Sequence, residues 1–131
     1  MNESSLTGPL LAAFPGTIGI WLFGSHATGA AGPDSDIDLA VLVEGRADAL
    51  ALWDLAGELG RLAGCPVDLV DLRAASTVMQ YQIVAHGRRL WQRDTGAELY
   101  ELFILREKMD FDVARAGLLA DIAASGSIYG R

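Results

Sequence analysis

Gly24-Ser25-His26-Ala27-Thr28-Gly29-Ala30-Ala31-Gly32-Pro33-Asp34-Ser35-Asp36-Ile37-Asp38-Leu39 lies between two apolar runs. Ahead of it, Ile18-Gly19-Ile20-Trp21-Leu22-Phe23 has the composition of a buried strand, and Leu39-Ala40-Val41-Leu42-Val43 behind it has the same. A Gly-Ser turn that opens a helix offers unpaired N–H groups and the positive end of a dipole, which suits a phosphate. Asp36 and Asp38 are two apart, so on a strand their side chains leave the same face. Two carboxylates side by side repel each other unless a cation lies between them. Beside a phosphate the natural cation is Mg²⁺, which takes one or two carboxylates and leaves the rest of its shell to water and phosphate oxygens. A Ca²⁺ loop fits poorly, because it needs a further run of oxygen ligands and the chain turns apolar straight after Asp38.

Outward from this stretch the pattern alternates helix and strand. Thr7-Gly8-Pro9 reads as a helix start, with Leu10, Leu11 and Phe14 facing inward and Pro15-Gly16 as the stop. Strand 17–23 follows, then one or two helical turns from Ser25 to about Ala31, then strand 37–43. Leu52, Leu55, Leu59 and Leu62 repeat at three and four within a helix from Ala47 to Ala63, which Gly64 ends. Pro66-Val67-Asp68-Leu69-Val70-Asp71-Leu72 reads as a third strand. A helix from about Ala74 to Ala85 stops at His86-Gly87, and Arg88-Arg89-Leu90-Trp91-Gln92 has the look of a short edge strand whose arginines discourage further pairing. The longest helix runs over about 95–124, with Thr95 and Glu98 as a capping box and a stripe of Leu102, Leu105, Met109, Val113, Ala116 and Leu119. The bland account of that stripe is a core face, and it is the favoured one. The further aromatics Tyr100, Phe103 and Phe111 exceed what one buried stripe needs and raise a partner surface as the rival. Residues 126–131 read as a frayed tail.

These elements predict a single α/β (α+β) domain over residues 1–131, a small mixed sheet flanked by helices. A chain of 131 residues that is 51% hydrophobic can bury a core of ordinary size. Its formal net charge of −7 disfavours a nucleic-acid partner. The single cysteine, Cys65, excludes an internal disulfide, forms no zinc set with the two histidines, and reads as a core filler. No apolar run is long enough to span a bilayer and the N-terminus lacks a targeting pattern, so the expected location is the cytoplasm, with no membrane.

Gly24-Ser25, ten residues, then Asp36-Ile37-Asp38 resembles the signature of the DNA-polymerase-β-type nucleotidyltransferase superfamily. The wider run from Leu22 to Val41 resembles its minimal nucleotidyltransferase (MNT) branch, the antitoxin half of HEPN/MNT toxin–antitoxin pairs. The resemblance implies a polymerase-β-like core in which Gly24 and Ser25 hold the triphosphate of ATP. Asp36 and Asp38 would bind one or two Mg²⁺ ions, and a third carboxylate from a neighbouring strand would complete the metal site or accept the proton of the attacking hydroxyl.

Asp68 and Asp71 both compete for that third role, and strand parity puts them on opposite faces. Asp68 is the stronger candidate, because a charge inside an apolar strand needs a reason, whereas capping the next segment is reason enough for Asp71. Asp34 and Ser35 read as turn residues, with Ser35 also able to orient the aspartate pair. His26, Tyr81, Gln82, Arg88 and Arg89 are weaker candidates for contact with the nucleotide, and His86 reads as a helix C-terminal residue. The implied activity is transfer of AMP from ATP to a tyrosine of a HEPN ribonuclease toxin, with a hetero-oligomer of the two proteins. Two rivals stand beside it: a nucleotidyltransferase for a small molecule such as an antibiotic, and an antitoxin that acts by binding alone.

Overall fold

Hydrophobic spacing dictates most of the architecture. In the computed structural model, which describes residues 3–32 and 35–125, four strands form one sheet in the order β3-β2-β1-β4. They are β1 (Thr17–Phe23), β2 (Ile37–Val43), β3 (Val67–Asp71) and β4 (Arg88–Gln92). β1 runs antiparallel to both β2 and β4, and β2 runs parallel to β3, so the sheet is mixed as expected. The helices are α1 (Thr7–Ala13), the single turn α2 (Ser25–Thr28), α3 (Ala49–Ala63), α4 (Thr77–His86) and α5 (Gly96–Ser125). Asp34, read above as a turn residue, and the tail 126–131 lie outside the described residues. Among the described residues no helix is long and apolar enough to cross a membrane.

The alternation along β1 and β2 assigns one core to each face of the sheet. Ile20, Leu22, Ile37, Leu39, Val41 and Val43 pack against Leu10 of α1 and Leu52, Leu55 and Leu59 of α3. Trp21, Ala40 and Leu42 face the other way, against Ile83 of α4 and Ala97 and Ile104 of α5. Leu62, the fourth residue of the expected α3 stripe, is 52% exposed, and in the last turn it is Ala63, four residues after Leu59, that packs against the core.

Helix ends follow their capping chemistry. Asp48 accepts from the Ala51 N–H at 2.9 Å and starts α3 at Ala49 in place of the expected Ala47, while Gly64 closes it at φ 76°. Ser76 accepts from the Met79 N–H at 3.2 Å and shifts the start of α4 past the expected Ala74. At the head of α5 the side-chain acceptor is Asp94, which takes the Gly96 N–H at 2.8 Å, in place of the expected pairing of Thr95 with Glu98.

The principal correction concerns α5. Its anchored face is short: Ala97 and Ile104 are buried, and Glu101 accepts from Trp21 Nε1 at 2.7 Å and from Arg89 at 2.6 Å. The stripe expected to be core is solvent-facing, with Leu102, Leu105, Met109, Val113 and Leu119 all exposed. Every described side chain from Met109 to Asp121 is exposed. The helix outruns the sheet that could cover it.

Glu101 therefore pins α5 through one buried indole and one arginine. Glu101→Ala leaves the Trp21 N–H without an acceptor in the core, and we expect a loss of about 2 kcal/mol in urea unfolding, with Glu101→Gln losing less because it keeps the indole bond.

Candidate active site

The Gly-Ser turn is set by a backbone that only glycine adopts readily. Gly24 has φ 75° and ψ −155°, and a Cβ placed on it would run into Oδ2 of Asp38. The end of β1 is thus packed against the start of β2, as Phe23 pairs with Asp38 in the antiparallel ladder. Ser25 and His26 open α2, so their N–H groups are the first of a helical turn and have no acceptor within it.

The loop back to β2 is tied to the same turn. His26 Nε2 donates to the Ser35 carbonyl at 3.1 Å, and the Ser35 hydroxyl accepts from the Gly32 N–H at 2.8 Å. Ser35 thus ties the loop back to Gly32, and His26 holds the chain just ahead of Asp36. Asp36 precedes β2 by one residue and is exposed, while Asp38 is half-buried within the strand.

Parallel pairing brings in the third carboxylate. Asp38 is the register partner of Asp68, so the two side chains leave the same face on adjacent strands. Burial, then the charges of Asp68 and Asp36, push the Asp38 carboxyl above its usual range. Asp71 is otherwise engaged: Oδ1 accepts from the Arg73 N–H at 3.0 Å and Oδ2 from the Ala47 N–H at 3.2 Å. Its carboxylate joins the end of β3 to the segment ahead of α3.

Among the described residues no three carboxylate, imidazole or thiolate groups close into a metal-holding cluster by themselves. What the site offers is a crowded set of hard oxygen donors beside a turn suited to phosphate. That donor set fits a cation such as Mg²⁺, which draws the rest of its shell from phosphate and water.

The other weaker candidates have partners of their own or are exposed. Arg88 pairs with Glu3 at 3.1 Å and Arg89 with Glu101 at 2.6 Å. The Tyr81 ring lies under Lys108 and edge-on to His86, and Gln82 is exposed. Cys65 is only partly buried and lines an open groove of about 1000 Å³. That groove was not evident from the sequence. It reaches Asp38 and Asp68 and is walled by Trp53 of α3 and Met79 of α4. The one available signal was Trp53, a large aromatic off the leucine stripe of α3.

The raised Asp38 pKa fixes the sign of a pH effect. A folded-state pKa above the unfolded one favours the fold while the group is protonated, and that contribution is lost as pH rises through the folded value. In EDTA, we expect Asp38→Asn to raise the thermal midpoint at pH 7 and to leave it nearly unchanged at pH 3. Gly24→Ala should lower it at both pH values, since it meets both a glycine-only backbone and the Asp38 side chain.

Comparison with known proteins places this geometry. Residues 9–96 match the family described as polymerase beta, nucleotidyltransferase. The chain is 35% identical over 125 residues to the protein adenylyltransferase MntA of Shewanella oneidensis, covering 95% of this chain and 90% of that protein. Among solved structures it is similar to a chain of a toxin–antitoxin complex with AMP-PNP, at TM-score 0.81 and 35% identity over 94% of this chain and 99% of that one. A second is a complex of tri-AMPylated Shewanella oneidensis HEPN toxin with MNT antitoxin, at TM-score 0.73 and 33% identity over 92% of this chain and 95% of that one. With a family match across most of its length and identity at this level over nearly all of it, the chain belongs to the polymerase-β nucleotidyltransferase family.

Proposed function

We propose that this protein is the antitoxin of a HEPN/MNT pair and that it transfers AMP from ATP to a tyrosine of its toxin partner. The observation that carries the reading is the register pairing of Asp38 with Asp68 beside the Gly24-Ser25 turn. The similarity to a protein adenylyltransferase over nearly the whole chain supports the acceptor class.

In this reading Gly24 and Ser25 bind the β- and γ-phosphates through the first N–H groups of α2. Asp36 and Asp38 are the metal-binding carboxylates, with Asp68 completing the set. When bound, Mg²⁺ supplies charge to polarise the α-phosphate and to neutralise the departing pyrophosphate. Asp68 takes the proton of the tyrosine hydroxyl, whose oxygen forms a bond to the α-phosphorus. The bond from that phosphorus to the bridging oxygen breaks, and the electron pair leaves with pyrophosphate. His26 is a positioning residue, holding the Ser35 carbonyl and hence the approach to Asp36.

The exposed apolar side of α5 is the partner-binding element. Leu102, Met109 and Val113 stand on it, and a surface of that kind on a chain of net charge −7 suits a partner whose surface is apolar at the contact and basic around it. A binding-only antitoxin would share this surface, so activity and affinity have to be read separately.

The test is incubation with ATP, Mg²⁺ and the purified product of the neighbouring reading frame, followed by mass spectrometry. We expect AMP on tyrosine, at least about a 1000-fold loss with Asp36→Asn plus Asp38→Asn, and the same loss in EDTA. Protection from the toxin with no adduct would favour the binding-only account, and adducts on a small molecule the antibiotic-type one. Met109→Glu should weaken partner affinity by about tenfold or more, measured calorimetrically, because it puts a charge into the apolar contact.

A further inference from the structure

The sheet has two outer strands, and they are built differently. β4 carries Arg88 and Arg89, each held in an ion pair, the kind of charged guard that discourages another strand. β3 carries no basic residue, and of its two acids Asp71 is engaged by backbone N–H groups. Its residues are Val67, Asp68, Leu69, Val70 and Asp71, and among the described residues no strand lies beyond it.

The phase of the parallel ladder says which main-chain groups are free. The Ile37 N–H donates to the Pro66 carbonyl at 2.9 Å, so the groups of Asp68 and Val70 turn toward β2. The Leu69 N–H and the Val67 and Leu69 carbonyls then point outward, with no partner among the described residues. Along this edge runs the groove of about 1000 Å³, with Trp53, 77% exposed, on the α3 side and Met79, 42% exposed, on the α4 side. The groove reaches the Asp38 and Asp68 carboxylates. An apolar, hydrogen-bond-hungry edge that leads to a catalytic constellation has the form of a strand-addition site.

We propose that the free edge of β3 receives an extended segment of the acceptor protein as a fifth strand and so delivers the acceptor tyrosine to Asp68. This rests on the AMP-transfer reading. A residue on the added strand that lies across from Asp68 and shares its face continues the row Asp38–Asp68, with about 5 Å between neighbours. A serine hydroxyl on that strand stays near its own backbone. A tyrosine hydroxyl stands far enough out to lean over the row and meet the Asp68 carboxylate. The groove walls supply apolar contact for the segment, and its main chain takes the Val67 and Leu69 groups.

Charge argues for a basic or neutral partner segment over a second copy of this chain. Edge-to-edge pairing of two copies would bring the two Asp68 side chains toward each other, and each copy carries a net charge of −7. Like charges across a strand pair destabilise it.

Amide hydrogen exchange by NMR tests the idea on the full chain. The chain is held with α,β-methylene-ATP, whose α–β link is not cleaved, and with the purified product of the neighbouring reading frame. The expected result is at least tenfold slower exchange at the Leu69 N–H in the complex. Trp53→Asp should raise the KM for the protein acceptor at least tenfold with kcat within about threefold, thermal unfolding confirming that the variant is folded. AMP transfer without slowed exchange at Leu69, or with an unaltered KM in Trp53→Asp, overturns the proposal and leaves the transferase reading standing. Slowed exchange in the isolated chain that grows with its concentration, with a dimer by light scattering, assigns the edge to a second copy and also overturns it. The exchange measurement needs no turnover. Slowed exchange with an acceptor that gains no AMP therefore supports the edge and counts against the transferase reading alone.

Discussion

The constraint on which the site depends is the repulsion between Asp38 and Asp68, held face to face on adjacent parallel strands. Left alone, such a pair would spread apart or slip in register. Slippage is blocked by the rest of β2, whose Ile37, Leu39, Val41 and Val43 are buried against α1 and α3. A shift of one residue would drive Asp38 into that core and turn four apolar side chains out of it. Closeness is secured at the far side of β3 by Gly60. A Cβ there would lie 3.3 Å from the Cys65 carbonyl, so the glycine lets α3 settle against the entry to the strand. Hydrophobic burial on one face of the sheet thus stabilises an unfavourable charge arrangement on the other.

Hydrogen bonding, more than the choice of face, separates the acids into two sets. Asp48 and Asp71 spend their oxygens on backbone N–H groups, at a helix start and at the end of β3. Glu101 holds α5 to the sheet through Trp21 and Arg89. None of these is available for a cation or a proton. Asp36, Asp38 and Asp68 accept no backbone N–H among the hydrogen bonds described above, and burial, then the charges of Asp68 and Asp36, raise the Asp38 pKa. Acids with satisfied oxygens build the frame, and the crowded ones are those to which the proposed chemistry is assigned.

Much of this was legible in the sequence because it rests on local rules. The bounds of β1, β2 and β4 follow from apolar runs and their punctuation, and Gly24 and the aspartate pair follow from a turn next to a strand. For Asp68 and Asp71, parity separated the two and capping was expected of Asp71; its bond from the Arg73 N–H is that cap, while the bond from the Ala47 N–H comes from a segment the sequence does not place beside it. The α5 stripe misled for a physical reason. A three-four repeat reports that one side of a helix is apolar, and it carries no information on whether the cover comes from the same chain. The groove beside β3 was not legible at all, since its walls come from α3 and α4 and meet only once the sheet has formed.

The misread helix and the unseen groove bear on one another. α5 packs on the sheet face occupied by Trp21, Ala40 and Leu42, and Asp38 leaves β2 on that same face. A partner gripped by the outer part of α5 is therefore held on the side of the sheet where the carboxylates stand. Holding and reacting can then be separate events. In the proposed pairing the helix supplies affinity through apolar area, and the β3 edge presents the acceptor segment to the carboxylates. A core built only to fold would have covered both surfaces. The exposed stripe on α5 and the open edge of β3 are two places where, among the described residues, apolar surface is left uncovered, and the groove along β3 leads to Asp38 and Asp68.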